Sequence, residues 1–353
     1  MPQKPVTVQR LLLKPTLYLT LLSGVALAQD VAQPDPLFQD NATLAVTITA
    51  PMSTLVKERS KDDYLEGQLE FTEADGSAVK LDIEIRTRGN FRHATCDFPP
   101  LNLNFKKKQV SGTLFDQQNK MKLVVHCENH VRYEQHVLRE YLAYRIFNSI
   151  TDLSFRVRLL RVTYVDNEGR RDDLVRYAYL IEHKKRVAER LGLDLVELQR
   201  TKISALQGKQ LNLTSVFQHL IGNTDFSPIA GGPGRGCCHN YVLFGNNVDP
   251  LLSLPYDFDQ AGFVDAPYAS PNEALSIRNV RQRLYRGRCV NNEHIDASIG
   301  MISDRRDEIL ALIESQDGLD ARTRKKLLRY IDKYFDVAET PKKVERYFNN
   351  KCV

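Results

Sequence analysis

From Leu44 the chain alternates: Leu44, Val46, Ile48 and Ala50 place an apolar or small side chain at every second position. That is the period of a strand with one face buried. Val79, Leu81, Ile83, Ile85 and Thr87 repeat it over 79–87, and Asp75-Gly76 lies between that run and a strand at Gln68–Thr72. A turn dipeptide between two such runs reads as a hairpin. Residues 120–127 (KMKLVVHC), Arg156–Val165 and Leu174–Ile181 read as three more strands, the last two joined by Asp166-Asn167-Glu168-Gly169. One segment in this half changes period. Val137, Leu138, Tyr141, Leu142, Tyr144 and Phe147 fall on a helical pattern that starts near Glu134, a stripe suited to core packing.

Beyond residue 183 the pattern is mainly helical, with helices expected at 185–192, 194–200, 211–221, 292–315, 319–336 and 340–349. Short strands at Asn240–Phe244 and Leu251–Tyr256 interrupt them. Strands first, one helix among them, then helices, is an α+β order. It predicts a β-rich N-terminal lobe over 29–182 and a mainly helical C-terminal lobe over 183–353.

The start of the chain adds a compartment. Lys4, Arg10 and Lys14 precede an apolar run from Leu17 to Ala28 that closes with Ala26-Leu27-Ala28. Basic, apolar and small-x-small parts in that order predict a signal peptide over 1–28 and export to the periplasm or the extracellular space. The run is shorter than the roughly 20 apolar residues of a comfortable span, so no stable membrane span is expected after cleavage. An uncleaved N-terminal anchor is the alternative. All six cysteines lie beyond position 28, and an even number in an exported chain suggests disulfides. Cys96 with Cys127 is the favoured pair, because each sits beside a predicted strand of the same half. Adjacent Cys237 and Cys238 make no C-x-x-C spacing, which argues against structural zinc. The formal charge of +5, with acids and bases interspersed, is too mild to imply nucleic acid. Lys106-Lys107-Lys108 and Arg324-Lys325-Lys326 read as solvated faces.

Candidate chemistry gathers around the two short strands. Gly222-Asn223-Thr224-Asp225 follows a helix, His239-Asn240-Tyr241 opens one strand, and Pro255-Tyr256-Asp257-Phe258-Asp259-Gln260-Ala261-Gly262 closes the other. Carboxylates at i and i+2 of an extended chain point the same way, and two like charges that close are unfavourable unless a cation or a basic side chain separates them. Magnesium takes one or two carboxylates plus phosphate oxygens, so Asp257 and Asp259 suit a metal–nucleotide site, with the Asn240 carbonyl as a neutral ligand. Asp225 could accept a proton from an attacking hydroxyl. The same residues are also good turn and cap formers, and the two aspartates could serve as structural calcium ligands.

These segments (GNTDFSP at 222–228, HNYVLFG at 239–245, LLSLPYDFDQAG at 251–262) resemble the spore coat protein H (CotH) kinase-like family. IRTRGN at 85–90, KMKLVV at 120–125 and LREYLAYRIFN at 138–148 extend the resemblance over roughly 80–265. It implies a two-lobed protein-kinase-like fold, with ATP and Mg²⁺ or Mn²⁺ bound between the lobes. It also implies an atypical kinase that transfers the γ-phosphate of ATP to a hydroxyl acceptor, plausibly on a protein. Carried over residue by residue, Asp225 is the catalytic aspartate, Asn240 and Asp257 hold metal, and Asp259 shares or replaces the role of Asp257. Arg88, Gly89 and Asn90 form a turn over the phosphates, and Lys122 with Glu140 makes the lysine–glutamate pair that orients them.

Two departures stand out. Ile229 to Cys238 is a Gly/Pro/Cys-rich insert that either shapes the site or separates Asp225 from Asn240. Phe98-Pro99-Pro100-Leu101 carries no lysine where the family commonly has one, so the phosphate-binding lysine has moved or is absent. A kinase-shaped binding module without chemistry is therefore one alternative, as the scarcity of ATP outside the cytoplasm also suggests. A metal-dependent nucleotidyl transferase or phosphohydrolase using the same aspartates is another. The glycine-rich run 231–236 lacks the G-x-x-x-x-G-K-[ST] of a P-loop. No G-x-S-x-G elbow occurs beyond position 28. His126, His130 and His136 with Cys127 do not make an H-E-x-x-H zinc helix, because Cys rather than Glu follows His126 and 120–127 reads as a strand.

Overall fold

The computed structural model describes residues 1–4, 33–232, 234–246 and 248–353. The expected signal peptide, 1–28, falls outside the described residues apart from its first four. The described residues from 33 onward form one compact unit.

The alternating first half forms β1 (Leu44–Ala50), β2 (Leu65–Thr72), β3 (Ala78–Thr87), β4 (Leu101–Phe105) and β5 (Lys120–Val124). Short helices α1 (Met52–Glu58), α2 (Phe91–Thr95) and α3 (Lys107–Val110) lie between them. The long helix α4 (Glu134–Ile150) is followed by β6 (Val157–Asp166) and β7 (Leu174–Ile181). These seven strands close into a barrel in the order β1-β2-β3-β4-β5-β7-β6. Closure comes from β1 and β6, which pair in parallel from Leu44↔Leu160 to Ala50↔Asp166. Val46, Ile48, Leu81, Ile83, Leu103, Phe105 and Val162 are among the buried residues of the cluster that fills it. A barrel this small is packed with side chains rather than hollow, and it has no free edge.

This closure overturns the expected two-lobed protein-kinase-like fold with a sheet-rich N-terminal lobe and a helical C-terminal lobe. What the chain forms is a closed seven-stranded barrel with mixed α/β content. Period-2 alternation identifies a strand and its buried face, but it carries no information on which distant strand becomes the partner. The parallel β1–β6 pairing that decides the architecture is of that kind.

After the barrel come α5 (Lys184–Leu191), β8 (Asp194–Val196), α6 (Gly208–Ile221), β9 (Tyr241–Gly245) and β10 (Leu252–Pro255). The three strands make a second sheet in the order β10-β9-β8. The chain ends in α7 (Ile295–Ser303), α8 (Arg306–Ser315), α9 (Ala321–Ala338) and α10 (Pro341–Tyr347). Two expectations change here. The helix expected at 194–200 begins instead as β8, whose Leu195 pairs with Phe244 of β9. The helix expected at 292–315 breaks at Asp304 and Arg305 into α7 and α8. Strand β4 was not anticipated, although Leu101, Leu103 and Phe105 alternate and are buried. Its five residues are hidden between Pro99-Pro100 and a lysine run.

α4 is buried nearly all round and joins the barrel to the later helices. Phe147 stacks on Phe217 of α6 with centroids 4.4 Å apart, and Tyr144 meets Phe258 at 4.6 Å. Its buried charges have partners: Glu134 takes Arg161 at 3.1 Å, and Arg139 donates to the Val264 carbonyl at 2.8 Å. α6 stops at Gly222, whose φ of +64° is the left-handed cap conformation. A Cβ there would also lie 2.0 Å from the Tyr330 hydroxyl oxygen, so glycine is required by both backbone and space. That stop aims Asn223-Thr224-Asp225 out of the helix and toward the second sheet.

Three disulfides are formed: Cys96–Cys127 as expected, Cys289–Cys352, and the adjacent pair Cys237–Cys238. No cysteine is left free. Among the described residues no helix is long and apolar enough to cross a membrane.

Cys96–Cys127 closes a 31-residue separation and pins α2 beside the end of β5. Replacing both with serine should lower unfolding free energy by about 3.7 kcal/mol, the chain-entropy value for such a loop. Guanidinium unfolding at fixed pH measures it. A loss well under about 1 kcal/mol would mean that packing of α2 closes the loop without the bond.

Candidate functional site

A cleft of about 1480 Å³ separates the barrel from the second sheet. The turn after β3 and the middle of β5 form one wall through Arg88, Gly89, Asn90 and Lys122. The loops around β9 and β10 form the other through Asp225, Asn240, Asp257 and Asp259. Of the residues picked out from sequence, only Glu140 lies behind the lining, buried on α4.

The acidic wall is built at the end of β10. Tyr256 donates its N–H to the Asn240 carbonyl at 3.0 Å, which keeps the two strand ends together. Asp257 then turns left-handed, with φ +62°, a conformation that aspartate tolerates better than most residues. Its N–H donates to the Tyr144 hydroxyl at 2.8 Å. The backbone here is not extended, so the expected parallel i, i+2 display of carboxylates is not what forms. Asp257 is exposed to the cleft, Phe258 is fully buried against Tyr144 and Phe217, and Asp259 is buried.

Asp259 carries the strongest electrostatic signal. Among the described residues its carboxylate has no hydrogen bond or ion pair. Burial pushes its pKa well above the carboxylate range, and the charges of Asp257 and Glu140 push it further, against the pull of Arg92. Glu140 is raised in the same way, by burial first, while Arg92 opposes. An unsatisfied buried carboxylate beside two others is a place that a cation relieves.

Asp225 and Asn240 converge despite the insert between them. The Asn240 amide donates to the Asp225 carbonyl at 2.7 Å and to its Oδ2 at 3.0 Å. Asp225 Oδ1 pairs with His239 Nε2 at 2.7 Å. That hydrogen bond raises the His239 pKa, burial opposes it, and the Asp225 charge adds to the rise, so His239 favours its protonated form.

On the cationic wall, Arg88 anchors itself by donating its N–H to the Pro100 carbonyl at 2.8 Å and its Nε–H to the Leu101 carbonyl at 3.1 Å. Gly89 has φ +84°, which makes the turn after β3. Lys122 Nζ sits 4.8 Å from the centre of the Tyr256 ring. It is open to cleft water while protein surrounds the cleft. That burial depresses its pKa to about 8, with Arg88 adding to the depression and Asp257 opposing it.

The lysine–glutamate pair expected from the sequence is not made. Glu140 takes Arg92 Nη1 at 3.8 Å instead, and no Lys122–Glu140 ion pair occurs among the described residues. Arg92 lies on α2, four residues past Arg88 and outside the candidate turn Arg88-Gly89-Asn90. His239 and Tyr144 stand in segments legible from sequence, but their roles depend on partners distant along the chain. The insert contributes as well: the Asn90 amide, its oxygen turned outward, accepts from Arg235 Nη2 at 2.8 Å and donates to the Gly89 carbonyl at 3.3 Å. Arg235, Cys237 and Cys238 all line the cleft.

Cys127 is in a disulfide, and His126 is buried against Phe98 at 4.6 Å with its pKa held down to about 3. Among the described residues no group of three or more His, Cys, Asp or Glu is placed to hold a metal. A metal in the cleft would therefore draw on Asp257 and Asp259 together with an amide such as Asn240 or oxygens of a bound ligand. Compared with known proteins, the chain matches no protein-family model and no curated protein.

The pair at Asp225 sets a pH dependence. Because His239 has a raised pKa in the folded state, the stabilisation from the pair is complete below its ordinary value of 6.5. It is lost as pH rises through the raised value. Asp225→Asn should move the His239 titration, followed by NMR, back down toward 6.5. An unmoved titration would show that Asp225 is not what holds the proton.

Proposed function

We propose that the cleft binds ATP with Mg²⁺ or Mn²⁺ and that the protein transfers the γ-phosphate to a hydroxyl acceptor on a protein. The observation that carries this reading is the opposition of two charged walls across one cleft. Arg88 and Lys122 face Asp257 and Asp259, with Asp225 and Asn240 alongside. A nucleoside triphosphate with its metal has the matching polarity, phosphate oxygens toward the cations and metal toward the carboxylates. The CotH-like motifs at 222–228, 239–245 and 251–262 supply the residues of the acidic wall, which adds weight to the same reading.

In this reading Arg88 and Lys122 hold the phosphates, and the Gly89 turn lets backbone approach them. Asp257 and Asp259, with Asn240, hold the divalent cation, which when bound would neutralise charge on the phosphates. Glu140 and Arg92 stand behind Asp259 and fix its electrostatic setting. Asp225 orients the acceptor hydroxyl and receives its proton. Export is part of the proposal, on the basis of the expected signal peptide and the three disulfides. Binding without turnover is a second reading. It is favoured by the engagement of both Asp225 oxygens, Oδ1 by His239 and Oδ2 by Asn240.

Calorimetry of ATP with and without Mg²⁺ or Mn²⁺, on protein with intact disulfides, tests the site. Asp257→Asn keeps a residue that accepts the left-handed backbone, and it should weaken metal-dependent binding at least about tenfold. Affinity should also fall as pH rises through about 8, where Lys122 loses its proton, and Lys122→Arg should flatten that fall. No binding under any metal condition would overturn the reading.

A further inference from the structure

The cleft does not end at Lys122. A second hollow of about 850 Å³ opens beside it, bounded by α3, the residues leading into β5, and the start of α5. His183, Lys184 and Glu197 line both spaces, so the two are neighbours that share one edge. The hollow's cations are Lys107, Lys120, Lys184, Lys185 and Arg186, against Asp116, Glu189 and Glu197. Two of those acids are already engaged. Glu197 pairs with Lys184 at 2.8 Å, and Glu189 pairs with Arg186, which also holds Asp35 at 2.6 Å. Lys107, Lys120 and Lys185 are exposed and form no ion pair among the described residues. The run at 106–108, which reads from sequence as a merely solvated face, thus borders a concave surface.

We propose that this basic hollow docks the acceptor, and that the acceptor presents an acidic peptide segment that continues into the cleft toward Asp225. The proposal rests on the phosphoryl-transfer reading of the cleft. Three features favour an extended peptide over a small anion. The free lysines come from three separate elements, α3, β5 and α5, around an elongated space. The space adjoins, across His183, Lys184 and Glu197, the cleft that Asp225 lines. The first N–H groups of α5 are also already taken: Lys185 donates to His183 Nδ1 at 3.3 Å, and Arg186 and Val187 donate to the His183 carbonyl at 2.8 and 3.1 Å. That helix end therefore has few donors left for a phosphate. Around the His183 ring stand Lys122, Lys184, Lys185 and Lys120. Burial first, and then these charges, hold its pKa below the ordinary value.

The experiment uses the full chain with its disulfides intact and a fluorescein-labelled peptide of about 12 residues, rich in Asp and Glu around one serine, read by anisotropy in about 50 mM salt. A peptide with Gln and Asn in place of the acids is the control. The acidic peptide should bind at least about tenfold tighter than the control, and its affinity should fall steeply with salt. The doubly substituted Lys120→Glu/Lys185→Glu protein should lose that preference while keeping ATP affinity within about threefold, read by calorimetry. Equal binding of the two peptides, or unchanged binding by the double variant, would overturn the proposal. So would displacement by inorganic phosphate as readily as by unlabelled peptide. ATP binding without peptide preference removes the docking surface alone. Peptide preference without ATP binding instead removes the phosphoryl-transfer reading and keeps the surface.

Discussion

Three carboxylates, Glu140, Asp257 and Asp259, share one end of the cleft: the charges of Asp257 and Glu140 add to burial in raising the proton affinity of Asp259, and that of Asp257 adds to burial in raising Glu140. The one ion pair within the group is Arg92 with Glu140. Two of the three are buried. A fold keeps such an arrangement only when something compensates it, because a buried like-charge cluster is unfavourable. Arg92 offsets part of it. The guanidinium is held in turn by α2, which the Cys96–Cys127 disulfide ties to the end of β5. Protonation of Asp259 or Glu140 offsets another part, and a divalent cation facing Asp257 would offset more. The chemistry proposed for the cleft follows from this imbalance.

The fold brings the opposing walls together by two independent devices. Closure of the barrel through β1 and β6 fixes β3 and β5, and with them Arg88 and Lys122. The stop of α6 at Gly222 fixes Asp225, and the Gly262 N–H donates to the Gly222 carbonyl at 3.1 Å, which ties the far end of the Asp257–Asp259 loop to the same point. α4 runs between these parts. Its Tyr144 packs on Phe258 and accepts from the Asp257 N–H, so a core residue sets the orientation of a site residue.

The local pattern carried much of this. Strict alternation located β1 and β3, the helical stripe located α4, and the carboxylate-bearing end of β10 was legible from Leu251 to Gly262. What was not legible depends on contacts between distant residues. Nothing in Leu44–Ala50 says that β6 will lie beside it in parallel, and that pairing replaces a two-lobed arrangement with a closed barrel. Spacing alone suggested that Asp257 and Asp259 point the same way, yet one positive φ at Asp257 separates them into an exposed and a buried carboxylate. The partner of Glu140 was sought on a strand and found on a five-residue helix. The insert at 229–238, ambiguous as sequence, leaves Asp225 and Asn240 in contact and sends Arg235 to Asn90.

The central claim is that the two charged walls hold ATP for transfer of its terminal phosphate. Incubating the protein and Mg²⁺ with ATP labelled at either the α or the γ position, beside Asp257→Asn, tests it most directly. The account predicts that γ-label alone moves to an acceptor, and that the substitution abolishes the movement. Transfer of α-label as AMP, or intact ATP after prolonged incubation with candidate acceptors, would contradict it.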